Sequence, residues 1–279
     1  MKKISGWILV ALLLLTPLFT VNSMAQEKWI YEKSIQKRTP VPYPYLREAD
    51  VMWAKRVWRL IDLRQKKNFP LYYPTKPIGD RMSLIDVILG EIESGTVNAY
   101  NADAGDDMTI QITQADIDKK FGAGADTIQV PDANGVLQTQ VIQNERTTSE
   151  VKQYIIQEVW YFDKKLSALN VRILGLCPIR ISVNPETNQM EKRKVFWIYY
   201  PDFRYTFANH EAYNPYNDAQ KVSFDDLFLQ RRFSGYILGE SNVYNNRMIS
   251  EYEQGRAALL ESDRIKQSIF NMEQDLWEY

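Results

Sequence analysis

Cysteine and histidine are almost missing from this sequence: Cys177 and His210 stand alone in 279 residues. A single cysteine excludes any internal disulfide. A structural zinc site needs about four Cys or His ligands, which this chain cannot supply. Cys177 lies among apolar neighbours in the segment Leu174–Ile181, a setting for a buried packing thiol. A reactive thiolate needs an exposed, electropositive one. Charge of one sign is lacking too, with 34 Lys and Arg against 35 Asp and Glu. That balance provides no long-range pull toward nucleic acid or anionic lipid. No phosphate-cradling loop, dinucleotide glycine motif or exposed-serine elbow occurs. Asn101, Asp103, Asp106 and Asp107 are oxygen-rich but lack the ligand spacing of a calcium loop, and Asp225-Asp226 reads as helix capping. No cofactor, metal or catalytic set is expected from these residues.

Long apolar runs are scarce as well. The longest, Trp7 to Leu15, follows Lys2 and Lys3 and precedes Pro17 and Ser23-Met24-Ala25. A positive start, a short apolar core and small residues at a cleavage position are the layout of a secretory signal. Residues 1–25 are therefore expected to be removed, leaving a mature chain from Gln26 that works outside the cytoplasm. A lipoprotein would carry Cys after the cleavage position, where Gln26 stands. Loss of Lys2 and Lys3 leaves 32 basic against 35 acidic side chains. No later stretch approaches the ~20 apolar residues of a spanning helix, so no transmembrane segment is expected in the mature chain. Its 254 residues are enough to build a core without disulfide staples.

Aromatic residues are plentiful, with 7 Trp and 17 Tyr, suiting packed cores and protein–protein surfaces. Residues 26–45 read as an extended arm in which Pro40, Pro42 and Pro44 alternate with Val41, Tyr43 and Tyr45. Such a segment has few internal hydrogen bonds and must lie on something, either its own domain or a neighbouring subunit. Pro40, Pro42, Tyr43, Pro44 and Tyr45 are the candidate partner-interface residues. Leu46 to Lys67 projects as an amphipathic helix, with Leu46, Trp53, Val57, Leu60 and Ile61 on one face. Ser83 with Asp86 starts a second helix over 84–94 that Gly95 ends. Residues 102–148 are glycine-rich and read as a mobile excursion. It holds a short helix from Thr113 and a hairpin pairing Thr127–Val130 with Val136–Val141. Strands follow at Tyr154–Phe162, Val171–Val183 and Lys194–Tyr200, with a turn at Asn184–Asn188. Ser223 with Asp226 caps a helix through Arg231. Residues 256–279 form a helical tail with Ile265, Ile269, Met272 and Leu276 at helical spacing. The fold class is α+β: a largely antiparallel sheet from residues 154–200, flanked by helices at 46–67, 84–94 and 224–233, without the alternation of a parallel α/β fold.

Several segments carry a resemblance. Arg59-Leu60-Ile61-Asp62-Leu63-Arg64, Asn68-Phe69-Pro70-Leu71-Tyr72-Tyr73-Pro74, Glu158-Val159-Trp160-Tyr161-Phe162-Asp163-Lys164 and Arg172-Ile173-Leu174-Gly175 stand in an order and spacing similar to the GldN/PorN family of gliding-motility and type IX secretion proteins. So do Ser223-Phe224-Asp225-Asp226-Leu227-Phe228, Arg231-Arg232-Phe233-Ser234 and Glu240-Ser241-Asn242, with Arg247 and Tyr252 beyond. The resemblance implies a domain over 46–255 that is structural and non-enzymatic. It implies a periplasmic ring, built by self-association with a GldK/PorK-type outer-membrane lipoprotein and meeting GldM/PorM-type and, indirectly, GldL/PorL-type motor subunits. The alternative is a periplasmic enzyme or wall-binding module whose acids converge only in three dimensions.

Overall fold

The computed structural model describes residues 38–131, 137–144, 146–183, 188–217 and 219–275, with the backbone alone over 124–131 and 137–144. The expected signal at 1–25, the arm before residue 38, the 184–187 turn and Leu276 lie outside the described residues. The strands are β1 Val51–Asp62, β2 Ala99–Asn101, β3 Gly124–Pro131, β4 Leu137–Asn144, β5 Val151–Asp163, β6 Ala168–Val183, β7 Met190–Lys194, β8 Phe196–Tyr199, β9 Glu211–Ala212, β10 Val222–Ser223 and β11 Tyr236–Glu240. The helices are α1 Phe69–Tyr72, α2 Leu84–Glu93, α3 Gln114–Lys120, α4 Tyr200–Asn209, α5 Phe224–Leu229 and α6 Gly255–Asp275. Seven strands form one sheet in the order β11-β1-β5-β6-β8-β2, with β7 added to β6, and every pairing in it is antiparallel. The fold is α+β.

The expected helix over 46–67 is corrected. A single 3-10 turn at Glu48–Asp50 leads into β1, a twelve-residue strand between β5 and β11. Alternation puts Val57 and Ile61 on one face, with the helices, and Trp58 and Leu60 on the other. From Val57 onward both faces are buried, so the period-two signal of a half-exposed strand is lost over the second half of β1. The remaining apolar positions then fall at helical offsets by coincidence.

Elsewhere, capping chemistry starts α2, α3 and α5 where the sequence puts them, whereas α4, which has no side-chain cap, is not among the expected helices. Ser83 and Thr113 each accept a hydrogen bond from the backbone three residues on, at 3.3 Å. Ser223 and Asp226 exchange both bonds of a capping box at 3.1 Å. Gly95 closes α2 at φ 71°, a left-handed conformation that costs glycine little. The hairpin pairs β3 with β4, Thr127 opposite Val141.

Helices α2, α4 and α5 cover one sheet face. Phe203, Phe207, Phe228 and Tyr200 are buried there in tilted and edge-on contacts of 5.5–6.2 Å. Each such ring contributes about 1.5–3 kcal/mol by leaving water. Helix α6 lays Ile265 and Ile269 against Val57 and Ile237 on the same face. Ser262 Oγ accepts from the Ile237 backbone N–H at 2.9 Å, closing the β11 edge. The opposite face is covered by irregular chain through Ala102, Met108 and Met248.

Candidate functional site

Described arm residues lie on the body along a seat built from α4, α5 and β6. Proline has no N–H, so a Pro-rich segment offers carbonyl acceptors with few matching donors. Two arginines supply the donors. Arg204 Nη2 donates to Val41 O at 2.7 Å, and Arg172 Nη2 donates to Pro44 O at 2.6 Å. Their guanidiniums also approach the Tyr43 ring, at 4.1 Å and 5.0 Å from its centroid. Asn209, at the end of α4, exchanges two hydrogen bonds with the Arg38 backbone, and the Arg38 guanidinium is 3.6 Å from Asp226.

Arg204 is itself held by Asp225, through Nε and Nη2 at 3.1 Å each, and Tyr200 OH donates to the same carboxylate at 3.0 Å. The Arg204 and Asp225 side chains are only 7 % and 5 % exposed. Burial works against the Arg204 charge, but hydrogen bonding and attraction to Asp225 prevail and raise its pKa. Burial pushes the Tyr200 hydroxyl well up, aided by the negative Asp225. Burial also raises Tyr43, with Arg204 opposing it. Of the expected interface residues, Tyr43 and the Pro44 carbonyl meet the chain's own body. Pro42 is exposed, Pro40 half-buried, and Tyr45 faces outward at 87 %.

A second cluster, which the sequence reading missed, lies where β1, β5 and the chain after α5 meet. Glu158 is fully buried on β5. Its carboxylate accepts from Arg59 Nε at 3.3 Å, from Arg231 Nη2 at 2.9 Å and from Trp160 Nε1 at 3.0 Å. The visible signal was charge inside apolar strands: Arg59 and Glu158 interrupt runs that otherwise belong in a core. Asn68 ties the same region, donating to Asp62 O and Ser234 O at 2.7 and 2.9 Å and accepting from Ser234 N at 2.8 Å. Gly235 is required here, because a Cβ would stand 2.4 Å from Leu60 O. Beside this cluster a groove of about 470 Å³ opens between α6 and the sheet.

The remaining candidates have local partners. Cys177 is buried and donates to Pro178 O at 3.7 Å, and burial pushes its thiol up to about 12. His210 Nδ1 lies 2.9 Å from Thr206 O. In the acidic cluster, Lys120 contacts Asn101 and Asp103 at 3.0 and 2.7 Å, and Arg56 is 3.5 Å from Asp107. Among the described residues no group of three or more His, Cys, Asp or Glu is arranged to hold a metal. None of the three cavities beside Tyr154, Tyr73 and Trp160 is lined by two carboxylates. No helix among the described residues is long and apolar enough to cross a membrane.

In this α+β domain the buried acids Glu158 and Asp225 are committed to arginines, the buried Asp163 caps the Lys165 and Leu166 backbone N–H groups, and the described arm residues are strapped onto the body. Residues 46–278 match the family model of gliding motility associated protein GldN, and the chain belongs to that family. It is a family of gliding-motility proteins and not a known enzyme family. A search of curated proteins finds no match.

Proposed function

We propose that this chain is a non-enzymatic, structural component of the type IX secretion and gliding machine. It is exported by its N-terminal signal and sits in the periplasm at the inner face of the outer membrane. There it self-associates in a ring with a GldK/PorK-type lipoprotein, and contacts GldM/PorM-type and, indirectly, GldL/PorL-type motor subunits. Family membership supports this reading. The observation that carries it is the arm, ordered on the body through Tyr43 yet offering Tyr45, Val41 and Pro42 outward. A pre-stiffened ledge loses little conformational entropy when a neighbour docks. Heterologous contacts of that kind are the ones that close into rings.

The test is affinity purification of the tagged chain from cell envelopes, with mass identification of what accompanies it. The expected result is the lipoprotein and further copies of this chain. Recovery of the chain alone, or from the cytoplasmic fraction with its signal intact, overturns the proposal.

A further inference from the structure

Four cations border the groove between α6 and the sheet: Arg59, Lys67, Arg231 and Lys266. Glu273 is its one lining carboxylate, and Glu158 stands buried behind it. Arg59 and Arg231 share Glu158, while Lys67 and Lys266 make no ion pair among the described residues. Arg231 Nη1 is buried without a hydrogen-bond acceptor among the described residues, while the side chain as a whole is 28 % exposed and lines the groove. An incoming carboxylate can pair with the exposed part of this guanidinium, whose one neutralising partner, Glu158, is shared with Arg59. The walls are aromatic as well as cationic. Arg231 lies over Trp160 at 5.1 Å and Phe233 at 5.2 Å, and Phe270 is 56 % exposed at the rim. Such a surface matches a ligand that combines acid with ring.

We infer that this groove is a docking slot for an acidic, aromatic-bearing segment of a partner protein. Charge complementarity sets the sign, since the surplus on the walls is positive. Helix geometry sets the class. At 100° per residue, Leu259, Lys266, Phe270 and Glu273 fall within about 40° of one line along α6. Leu259 is exposed and extends the groove's wall by about 16 Å from Phe270, at 1.5 Å per residue. An extended peptide can follow that stripe; a small anion fills only the cationic end. The inference deepens the assembly reading and rests on it for the partner's nature.

The probe is a synthetic peptide, acetyl-Glu-Phe-Asp-Phe-Glu-amide, titrated into the mature chain by calorimetry and by the fluorescence of tryptophans such as Trp160. Saturable binding that weakens with added salt is expected. Lys67→Glu/Lys266→Glu, which alters two exposed side chains outside the ion-paired cluster, should raise Kd about tenfold or more with an unchanged circular dichroism spectrum. Three results overturn the inference: no binding at millimolar peptide, equal binding of a peptide with Lys replacing its acids, or equal binding by the double variant. Inorganic phosphate or anionic phosphatidylglycerol vesicles competing as well as the peptide would also overturn it, in favour of a simple anion site. Envelope purification separates the two levels. If the wild type brings down no partner, the assembly reading fails. If wild type and double variant bring down the same partners, that reading stands and the groove proposal fails.

Discussion

Removing the Tyr43 ring should release the arm without unfolding the body. The ring lies between a 7 %-exposed Arg204 and a half-buried Arg172, at 4.1 and 5.0 Å. A cation–π contact is worth about 0.5–1 kcal/mol when exposed and about 2 when desolvated. Arg204 belongs near the upper figure and Arg172 near the lower. Rebound of the carbonyl hydrogen bonds to Val41 and Pro44 would return part of the loss, leaving about 2 kcal/mol for Tyr43→Ala. Local opening at that cost becomes about 30-fold more populated, and proteolysis tracks the open population when opening is fast. Trypsin cleavage after Arg38 or Arg47, followed by mass spectrometry, should therefore accelerate about 30-fold. The global thermal melt should move little. Tyr43→Phe should be near wild type, because no hydrogen bond among the described residues holds the hydroxyl, and Tyr45→Ala should change nothing in this assay. Cleavage within about threefold of wild type would refute the clamp. A body that unfolds in Tyr43→Ala would show instead that the arm is part of its core.

Glu158→Gln leaves two guanidiniums around a neutral amide and should cost about 3–5 kcal/mol in urea unfolding, with Arg231→Gln added to it recovering part of the loss; a cost below about 1 kcal/mol would sink the idea that this pair organises the region. Cys177, with its thiol pushed up to about 12 by burial, should resist thiol reagents at pH 8 until denaturant is added. Cys177→Ser should keep assembly at a cost of about 1–3 kcal/mol, and loss of assembly in a folded variant would contradict a purely structural thiol. Asp62 is held down to about 2, first by its hydrogen bond from Arg64 and further by Gln153. A depressed carboxyl contributes stability that is full above its unfolded pKa near 4 and is lost as pH falls through about 2. Asp62→Asn should flatten that acid limb by about 1 kcal/mol, discounted for the exposed Arg64 partner, and an unchanged slope between pH 4 and 2 would disprove it.

Local chemistry was legible in the sequence and long-range chemistry was not. Ser83, Thr113 and Ser223 mark helix starts through bonds only three residues long. The β-branched runs at 154–200 form β5, β6 and β8 because their own composition favours strands. Segment 51–62 has the same composition, but a strand whose second half is buried on both faces looks helical in projection. Its true state follows from pairing with β5 and β11, one of them about 100 and the other about 180 residues away along the chain. Likewise, closely spaced prolines reveal an arm, yet its seat depends on Arg172 and Arg204, which lie 128 and 163 residues from the carbonyls they bind. Arg59, Glu158 and Arg231 each sit in a segment that carries the family resemblance. Their convergence on one carboxylate appears only in three dimensions.

The arm seat and the groove use the same side-chain types, and their difference tells what each is for. At the seat, the arginines are spent: Arg204 on Asp225 and Val41 O, and Arg172 on Tyr161 OH and Pro44 O. Arg204 is neutralised by Asp225, while Arg172 keeps its charge but spends its donors on Tyr161 OH and the arm, so the seat's occupant is the arm itself, and the arm's outer side is what it offers a neighbour. At the groove, the shared carboxylate is already behind the wall, and Lys67, Lys266 and Arg231 Nη1 remain without acceptors among the described residues. A seat that is filled fixes shape, whereas a groove with surplus charge and exposed rings has capacity for another chain. The ring proposed above would use both properties, a rigid outline to set the angle between neighbours and an unfilled site to choose them. Reversing charge at the seat should therefore loosen this chain's own arm, while reversing it at the groove should leave the chain intact and change only what it holds.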